Sequence, residues 1–549
     1  MRLWLSFAML TVGGALMVAA QLAVAAPERK GGVWRVGMIG ASVQVDPQLT
    51  YITTAWWLEY ATAAKLYNYP DKRGPAGSLL RPEVASGYKV SNGGKRYTFY
   101  IRKGFRFSDG TPVTARNFAY AIDRVANHDL SSPGAQFITD PEGTNIVGAQ
   151  EVNSGEATHV RGVRVRGNRL IIHLTKADGT FLSKITMPFF QAASTKLPLD
   201  REIVNVDSMS DIPSAGPYVM SRNQVNVLTS LRQNPFWRRG PGRQRPWNLT
   251  GLDLQWNLNE ESAYHQVLSG ELDEGPLPAA HVQEVADRFG VNQSRFWSKP
   301  VNCTGYLPMN MQRPLFKGNS ALRRAINYAV SRGAYVAQAG PYAGQPWTHL
   351  LNPGVPGWRN VNPYPSKRDL DKARALAAGH FRDGRITVLY RSVGTIQPAQ
   401  AAIVRQDLID LGFDPANITI KTFPYWYDDP MRDGDIGVSM GWCSDYPDPY
   451  DWINVLLSGE HAHEEYSANY SKMDLPKWNA KMEAAAKLVG PKRYKVYGEL
   501  DLEIMRKVAP IAAERTYNNR YLFSDRVDPK NLVYQGIYQD WSIPALALK

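Results

Sequence analysis

One short segment, residues 441–452, combines an aromatic side chain, a cysteine and a carboxylate within five positions; it reads Gly-Trp-Cys-Ser-Asp-Tyr-Pro-Asp-Pro-Tyr-Asp-Trp. Residues 435–440 before it read as a strand, so we predict that Asp445 lies on a loop just past a strand end, beside Trp442. A carboxylate there can accept hydrogen bonds from an ammonium group, while the indole covers apolar parts of the same molecule. The alternative is an Asp-Pro-rich turn packed against buried tryptophans.

Catalytic motifs are not evident in the sequence. It contains no G-x-S-x-G elbow, no phosphate-binding glycine loop and no H-E-x-x-H helix. Residues 461–465, His-Ala-His-Glu-Glu, have the composition of a metal site, but adjacent residues in a polar stretch favour a solvated loop. The acidic pairs at 260–261 and 428–429 have no spacing that indicates acid/base chemistry. We therefore predict no enzymatic activity and no cofactor; a hydrolase assembled from distant residues is the alternative.

The elements around this segment indicate an α/β protein. Residues 386–390 read as a strand, Pro398 opens a helix that Gly412 ends, and residues 418–423 read as the next strand. Such a βαβ unit implies a parallel sheet with a crossover connection. Ligands on such sheets bind beyond the carboxyl ends of strands, often between lobes.

The first third of the chain has a different pattern, with hairpins. Residues 97–102 read as a strand, and Thr114 is predicted to cap a helix whose apolar face carries Phe118, Ile122 and Val125. Two alternating apolar runs then flank Gly167-Asn168, which is typical of a hairpin turn. The chain is therefore expected to contain several α/β domains.

The N-terminus has the features of an export signal. Arg2 precedes an apolar run over residues 3–20, and Ala23-Val24-Ala25 forms the small-x-small pattern of a signal-peptidase site. We predict cleavage after Ala25 and a periplasmic or secreted mature protein. The alternative is a membrane anchor, because the run is nearly long enough to span a bilayer.

Charge and cysteine content add two further constraints. The formal net charge is +13, but the basic residues are scattered, which argues against a nucleic-acid partner. The two cysteines, Cys303 and Cys443, suggest one disulfide in an exported chain, or two separate buried thiols. A bridge would close a loop of about 140 residues, worth roughly 5 kcal/mol at most in the chain-entropy model.

Several sequence blocks in a fixed order resemble the family 5 extracellular solute-binding proteins of ABC transporters, nearest to the oligopeptide-binding branch. Besides residues 441–446, the blocks that carry the resemblance lie at residues 40–47, 80–86, 97–102, 107–118, 216–218, 234–237, 270–273, 309–316 and 322–332. Each block alone is a weak match, and their order and spacing together make the resemblance strong.

The resemblance implies a type II periplasmic-binding-protein fold, with two lobes built from three domains and a ligand cleft at a hinge. The expected division is a main domain of lobe 1 from residues 26–56, 210–302 and 515–549, an additional domain from 57–209, and lobe 2 from 303–514. The implied function is capture of short peptides and delivery to a membrane-embedded ABC permease, by a monomer. The alternative is the same fold with a non-peptide solute, such as a metal chelate, opine, glycan or haem-like compound.

Family positions transfer to this chain residue by residue. The aspartate that pairs with the peptide amino terminus corresponds to Asp445, and cleft positions correspond to Trp442, Gly441, Trp426 and Tyr306. The oligopeptide branch also carries a disulfide between the two regions that hold Cys303 and Cys443.

Some positions depart from the family pattern. Ser439 stands where the family has a basic residue, a partner for the peptide carboxylate, and Arg432 is a candidate replacement. In the N-terminal segment, Ser42 and Val43 are candidate ligand contacts, and Ser42 stands where the family has an acid. The resemblance therefore leaves open how this chain holds a ligand carboxylate.

Overall fold

The structure is a computed structural model that describes residues 31–139, 145–243, 245–391, 396–423, 431–462 and 467–549. The predicted export signal, residues 1–25, and Trp426 lie outside these ranges. None of the helices in the described ranges is long and apolar enough to cross a membrane.

Strands and helices are numbered in chain order along the described residues. The strands are β1 (Val33–Gly37), β2 (Tyr67–Asn68), β3 (Arg81–Pro82), β4 (Ala85–Ser91), β5 (Arg96–Ile101), β6 (Val163–Arg166), β7 (Arg169–His173), β8 (Tyr218–Gln224), β9 (Leu228–Gln233), β10 (Gly251–Gln255), β11 (Glu274–Gly275), β12 (Phe296–Pro308), β13 (Ile386–Arg391), β14 (Ile418–Phe423), β15 (Ile436–Gly437), β16 (Met440–Cys443), β17 (Ile511–Phe523), β18 (Tyr534–Gln535) and β19 (Asp540–Trp541). The helices are α1 (Thr53–Thr62), α2 (Ala115–Ala126), α3 (Gln136–Thr139), α4 (Ala149–Asn153), α5 (Phe181–Lys184), α6 (Glu260–Ser269), α7 (Val282–Phe289), α8 (Ser320–Ala329), α9 (Arg332–Ala339), α10 (Leu370–Ala377), α11 (Ile396–Leu411), α12 (Tyr450–Leu457), α13 (Pro476–Ala486) and α14 (Gly490–Lys507).

The largest sheet has eight strands in the order β16-β12-β17-β11-β1-β10-β9-β8. Its two longest strands, β12 and β17, pair antiparallel from Phe296 opposite Leu522 to Pro308 opposite Ile511. At one end of this pair β16 adds to β12, and at the other end β11 adds to β17. The two strands therefore connect both halves of the molecule.

The predicted hairpins of the first third are confirmed. Strands β4, β5, β7 and β6 form an antiparallel sheet, and β6 and β7 flank the predicted Gly167-Asn168 turn. Helix α2 packs on it through its predicted apolar face, which is buried. The Thr114 N–H and hydroxyl both donate to the side-chain oxygen of Asn117, at 2.8 and 3.0 Å, which fixes the start of the helix.

The predicted βαβ unit is also confirmed, because β13 and β14 pair in parallel and α11 connects them. The predicted helix start was wrong: α11 already includes Ile396, two residues before Pro398. Proline is tolerated there because the first N–H groups of a helix have no partner within the helix.

The strand predicted over residues 435–440 is instead two strands in different sheets. Strand β15 pairs in parallel with β13, whereas β16 pairs antiparallel with β12. Ser439 lies between them with a φ of 46°, in the left-handed region. The chain turns sharply at this residue, which moves β16 onto the large sheet.

A disulfide joins Cys303 on β12 to Cys443 on β16, with an S–S distance of 2.00 Å. The two cysteines lie directly opposite each other in the strand register. The predicted pairing is confirmed, and it fastens the end of β16 to the central strand pair.

The hydrophobic core is divided among several clusters. One cluster draws almost entirely on residues 56–192, another on 34–61, 206–256 and 521–546, and two more on 306–513. Besides Ala215 and Trp237, the first cluster contains Tyr446, which comes from the region that forms the last two clusters. This ring therefore joins two regions that are otherwise packed separately.

Candidate ligand-binding site

Asp445 lies two residues past the end of β16, as predicted, on the loop that leads into α12. Its backbone N–H donates to Asp451 Oδ2 at 2.9 Å, and the indole N–H of Trp452 donates to Ser444 Oγ at 2.8 Å. Both hydrogen bonds join the loop to the first turn of α12. The position of Asp445 is therefore set by the helix that follows it.

A buried ion pair between Arg493 and Asp448 holds the same loop in place. Arg493 of α14 donates to both carboxylate oxygens of Asp448, at 2.8 to 3.2 Å. The backbone N–H of Tyr450 donates to Asp448 at 2.9 Å. A carboxylate held by a guanidinium and a helix N–H is rigidly placed, so the loop presents Asp445 in a defined geometry.

The Asp445 carboxylate has a neutral partner. The phenol of Tyr51, from the N-terminal part of the chain, donates to Asp445 Oδ2 at 2.8 Å. Removal from water raises the pKa of Asp445 to about 7, although the Tyr51 hydrogen bond acts in the opposite direction. Burial and the neighbouring Asp445 charge raise the pKa of Asp451 well above its usual range. The charged form of Asp445 therefore disfavours the charged form of Asp451.

Asp445 lines a cavity of about 380 Å³ between two faces of the molecule. One face belongs to the first third of the chain and contributes Gln136, Phe137, Thr139, Gln150 and Lys184. The opposite face contributes Trp442, Asp445, Tyr446, Tyr450, Asp451, Val455, His461 and Ala468. A cavity of this size, lined by aromatic rings and by polar and ionisable side chains, suits a small organic ligand with charged groups.

Aromatic rings surround the Tyr51 phenol. Its ring centroid lies 5.7 Å from that of Trp56, 6.2 Å from that of Phe137 and 5.8 Å from that of Phe189. Phe137 in turn makes an edge contact with Tyr446 on the opposite face, at 6.2 Å. These rings displace water around Asp445, which explains why its pKa is raised.

The other residues predicted as ligand contacts lie apart from this cavity lining. Gly441 is opposite Gly305 in the strand register, and the Tyr306 ring is buried in the core. Val43 packs against a hydrophobic cluster, and Arg432 is exposed in the turn before β15.

Two serine positions that depart from the family pattern have their own partners. The Ser42 N–H donates to Asn226 Oδ1 at 3.0 Å. The Ser439 hydroxyl donates to the buried carboxylate of Glu514, at 2.9 and 3.0 Å. Burial raises the pKa of Glu514 to about 7. An acid therefore lies beside the position where the family has a base.

No residue of the first-third face of the cavity was predicted from the sequence, and neither was Tyr51. Tyr51 lies in the loop before α1, Phe137 in α3 and Lys184 at the end of α5, and no local pattern marks any of them. The proximity of Asp451 to Asp445 could have been predicted, because Asp451 follows Asp445 by six residues, across a proline-rich turn at a helix start. No group of three or more metal-ligating side chains occurs within the described ranges, and residues 463–465 of the metal-like cluster lie outside them.

Replacing Tyr51 with Phe is expected to raise the pKa of Asp445 further, because the phenol stabilises the charged carboxylate. NMR titration of ¹³C-labelled aspartate carboxyls, with Asp445→Asn for assignment, measures this. Tyr342→Phe is the control, since Tyr342 has similar exposure and contacts Phe296 instead. An unchanged Asp445 titration in Tyr51→Phe would contradict the assigned hydrogen bond.

Comparison with known proteins places the chain in a family. The family model for bacterial extracellular solute-binding proteins, family 5 Middle, matches residues 80–464. The chain is 25% identical over 386 residues to the periplasmic oligopeptide-binding protein OppA of Escherichia coli strain K12, covering 66% of this chain and 67% of OppA. It is 24% identical over 396 residues to the probable deoxycholate-binding periplasmic protein YgiS of the same strain, covering 69% of this chain and 70% of YgiS.

A solved structure supports the fold over 95% of the chain. The clavulanic acid biosynthesis oligopeptide binding protein 2 superposes with a TM-score of 0.83, at 22% identity, over 95% of this chain and 96% of that one. This confirms the predicted α/β fold of the type II periplasmic binding proteins. The protein is thus a member of the bacterial extracellular solute-binding proteins of family 5.

Proposed function

We propose that this protein is the exported receptor of an ABC importer, which captures short peptides between two lobes and delivers them to a membrane permease. The observation that carries the proposal is Asp445: a carboxylate with a pKa near 7 in an aromatic cavity, with only a neutral phenol as its side-chain partner among the described residues. A partly buried carboxylate without a cationic partner gains most from a cationic ligand group. A peptide amino terminus, with an ordinary pKa near 8, supplies one at neutral pH.

The cavity chemistry suits the start of a peptide. The ammonium group bonds to Asp445, and the ring of Phe137 packs against the first side chain. A neutral ligand such as a glycan would leave the Asp445 charge uncompensated. The proposal therefore assigns amine recognition to Asp445 and apolar contact to Trp442 and Phe137.

We further propose the lobe boundaries that the family resemblance implies. The boundaries at 303 and 515 fall within β12 (Phe296–Pro308) and β17 (Ile511–Phe523), so the hinge consists of these two strands. The separate core clusters support this division, and the cavity lies between residues of 57–209 and residues of 303–514. The proposal includes cleavage after Ala25, release into the periplasm or medium, a monomeric state and no chemical change to the ligand.

Native mass spectrometry of freshly purified protein, followed by denaturation, tests the ligand class. We expect a ladder of short-peptide masses. One dominant non-peptide mass would instead favour a solute such as a haem-like compound or a bile-acid-like molecule; relatives named as heme-binding and probable deoxycholate-binding proteins motivate that alternative.

Replacing Asp445 with Asn is expected to weaken peptide binding by about 2–5 kcal/mol, the usual scale for removing one partner of a desolvated charge pair. Calorimetric titration measures the change. Asp287→Asn is the control, because it alters the same charge on the exposed face of α7. Equal affinities of the wild type and Asp445→Asn would remove Asp445 from amine recognition.

Peptide affinity is expected to depend on pH through Asp445. Its pKa is raised to about 7, so below pH 7 the ammonium must displace a proton, and affinity falls by up to about tenfold per pH unit as pH decreases. Affinity is expected to level off between pH 7 and the peptide amine pKa near 8, and to fall above it. Calorimetry in buffers of different ionisation enthalpy detects the released proton. His461 lines the same cavity. A fall in affinity at low pH that persists in Asp445→Asn would therefore belong to a group other than Asp445.

A further inference from the structure

The cavity beside Asp445 contains a fixed cation on its opposite face. Lys184, at the end of α5, is the one lysine or arginine among the described residues that line it. The internal stretches outside the described ranges contain no lysine or arginine in their sequence. Its side chain is about 10% exposed, and it lies where this cavity meets a neighbouring one that contains Asp178.

The partners of Lys184 leave it able to bind an anion. Its Nζ lies 3.2 Å from Asp178 Oδ2 and 5.8 Å from the centroid of the Tyr450 ring. Burial alone would raise the pKa of Asp178, but Lys184 and Thr180 lower it below its usual range. A lysine has three N–H donors, and the described residues supply one carboxylate partner. The other donors are available to a ligand in the cavity.

The charge around Lys184 is balanced. Asp178 also lies within electrostatic reach of Arg493, which is bonded to Asp448. Two acids and two bases therefore form this cluster, and an anionic ligand group would meet no excess of negative charge. The other ionisable groups lining the cavity are Asp445, Asp451 and His461, together with tyrosines.

The position near Ser439 is poorly suited to the same task. The Ser439 hydroxyl donates to the buried carboxylate of Glu514, which would repel a ligand anion. The Arg515 guanidinium beside this acid lies 3.9 Å from Glu514. Neither Ser439 nor Arg515 is among the residues that line the Asp445 cavity.

We propose that Lys184 binds a carboxylate of the ligand, so that the cavity selects molecules with an ammonium group at Asp445 and an anionic group within reach of Lys184. This inference rests on the proposed peptide-binding function and narrows its substrate class to short zwitterions. The carboxylate is either the carboxyl terminus of a very short peptide or the side chain of an acidic first residue. Both sources have the same chemistry, and they are separable by the choice of ligand.

The test measures the affinity of the protein for four dipeptide probes: Ala-Ala, Ala-Ala amide, Glu-Ala amide and Gln-Ala amide. The same four probes lengthened by one C-terminal alanine are measured as tripeptides. If Lys184 holds the terminal carboxylate, Ala-Ala binds roughly tenfold or more tightly than its amide. If Lys184 holds an acidic side chain, Glu-Ala amide binds more tightly than Gln-Ala amide by a similar factor. In Lys184→Met that ratio is expected to fall to about one.

Two variants control for structure and charge. Lys184→Arg keeps the charge and is expected to keep the ratio. Lys487→Met removes the same charge from a residue that lines the neighbouring cavity and not this one, and it is also expected to keep the ratio. A general loss of packing in Lys184→Met would weaken all four probes equally, so the ratio isolates the carboxylate contact.

The outcomes separate this inference from the function on which it rests. Two outcomes overturn the role of Lys184 but leave the peptide-binding function intact. In one, the wild type binds probes with and without the carboxylate equally well; in the other, the wild-type preference for the carboxylate survives in Lys184→Met. Failure of the wild type to bind any of the probes overturns both proposals.

Discussion

The antiparallel pairing of β12 with β17 is the constraint on which the site depends. These thirteen-residue strands stay hydrogen-bonded to each other along their length while each end of the pair joins a different part of the large sheet. Because the disulfide between Cys303 and Cys443 fastens β16 to this pair, the loop carrying Asp445 starts from a fixed point. A cleft residue must be held this firmly if it is to keep its geometry while the two halves move.

Shielded acids in this molecule differ in the partners they have and in whether they face a cavity. Asp46 and Asp448 each have an arginine partner within 2.8 Å, as structural acids usually do. The described residues give Asp445 a phenol and no cation, and its pKa is raised to about 7. Buried Glu59 likewise has a neutral partner, Gln191, and a pKa raised to about 8, but Asp445 lines a cavity, so its electrostatic cost falls where a ligand can reach it. Such a cost is typical of binding sites, where a ligand supplies the missing charge.

Local patterns in the sequence were enough to predict much of the fold. The capped helix α2, the β6–β7 hairpin and the β13–α11–β14 unit each depend on a short run of residues with a clear period or a strong turn signal. The turn at Ser439 could not be predicted, because a serine in the left-handed region has no sequence signature and the two strands it separates read as one apolar run. Tertiary pairing with β13 and β12 decides that break.

The site was predictable only in its local part. Asp445 and Trp442 belong to one motif and line one cavity, whereas Tyr51, Phe137 and Lys184 come from three separate segments of the chain. Nothing in their immediate sequence indicates that they approach Asp445, since the approach results from the way the first third of the chain packs against α12. The burial of Tyr446 among residues 56–192 is the clearest sign of that packing. Side chains that meet only through tertiary structure leave no periodic signal.

The placement of opposite charges on opposite faces bears on how a ligand would close the cleft. Shifting a two-state equilibrium from 1:99 to 99:1 takes about 5.5 kcal/mol of differential affinity. A charge pair at Asp445 contributes about 2–5 kcal/mol, which falls short when it acts alone. A ligand that also reaches Lys184 contacts both faces, and its second interaction forms only when the faces are close together. Under the proposed function, a zwitterion of the right length therefore favours closure more than a cation or an anion of equal size, because each of those bonds to one face and gains little from the other.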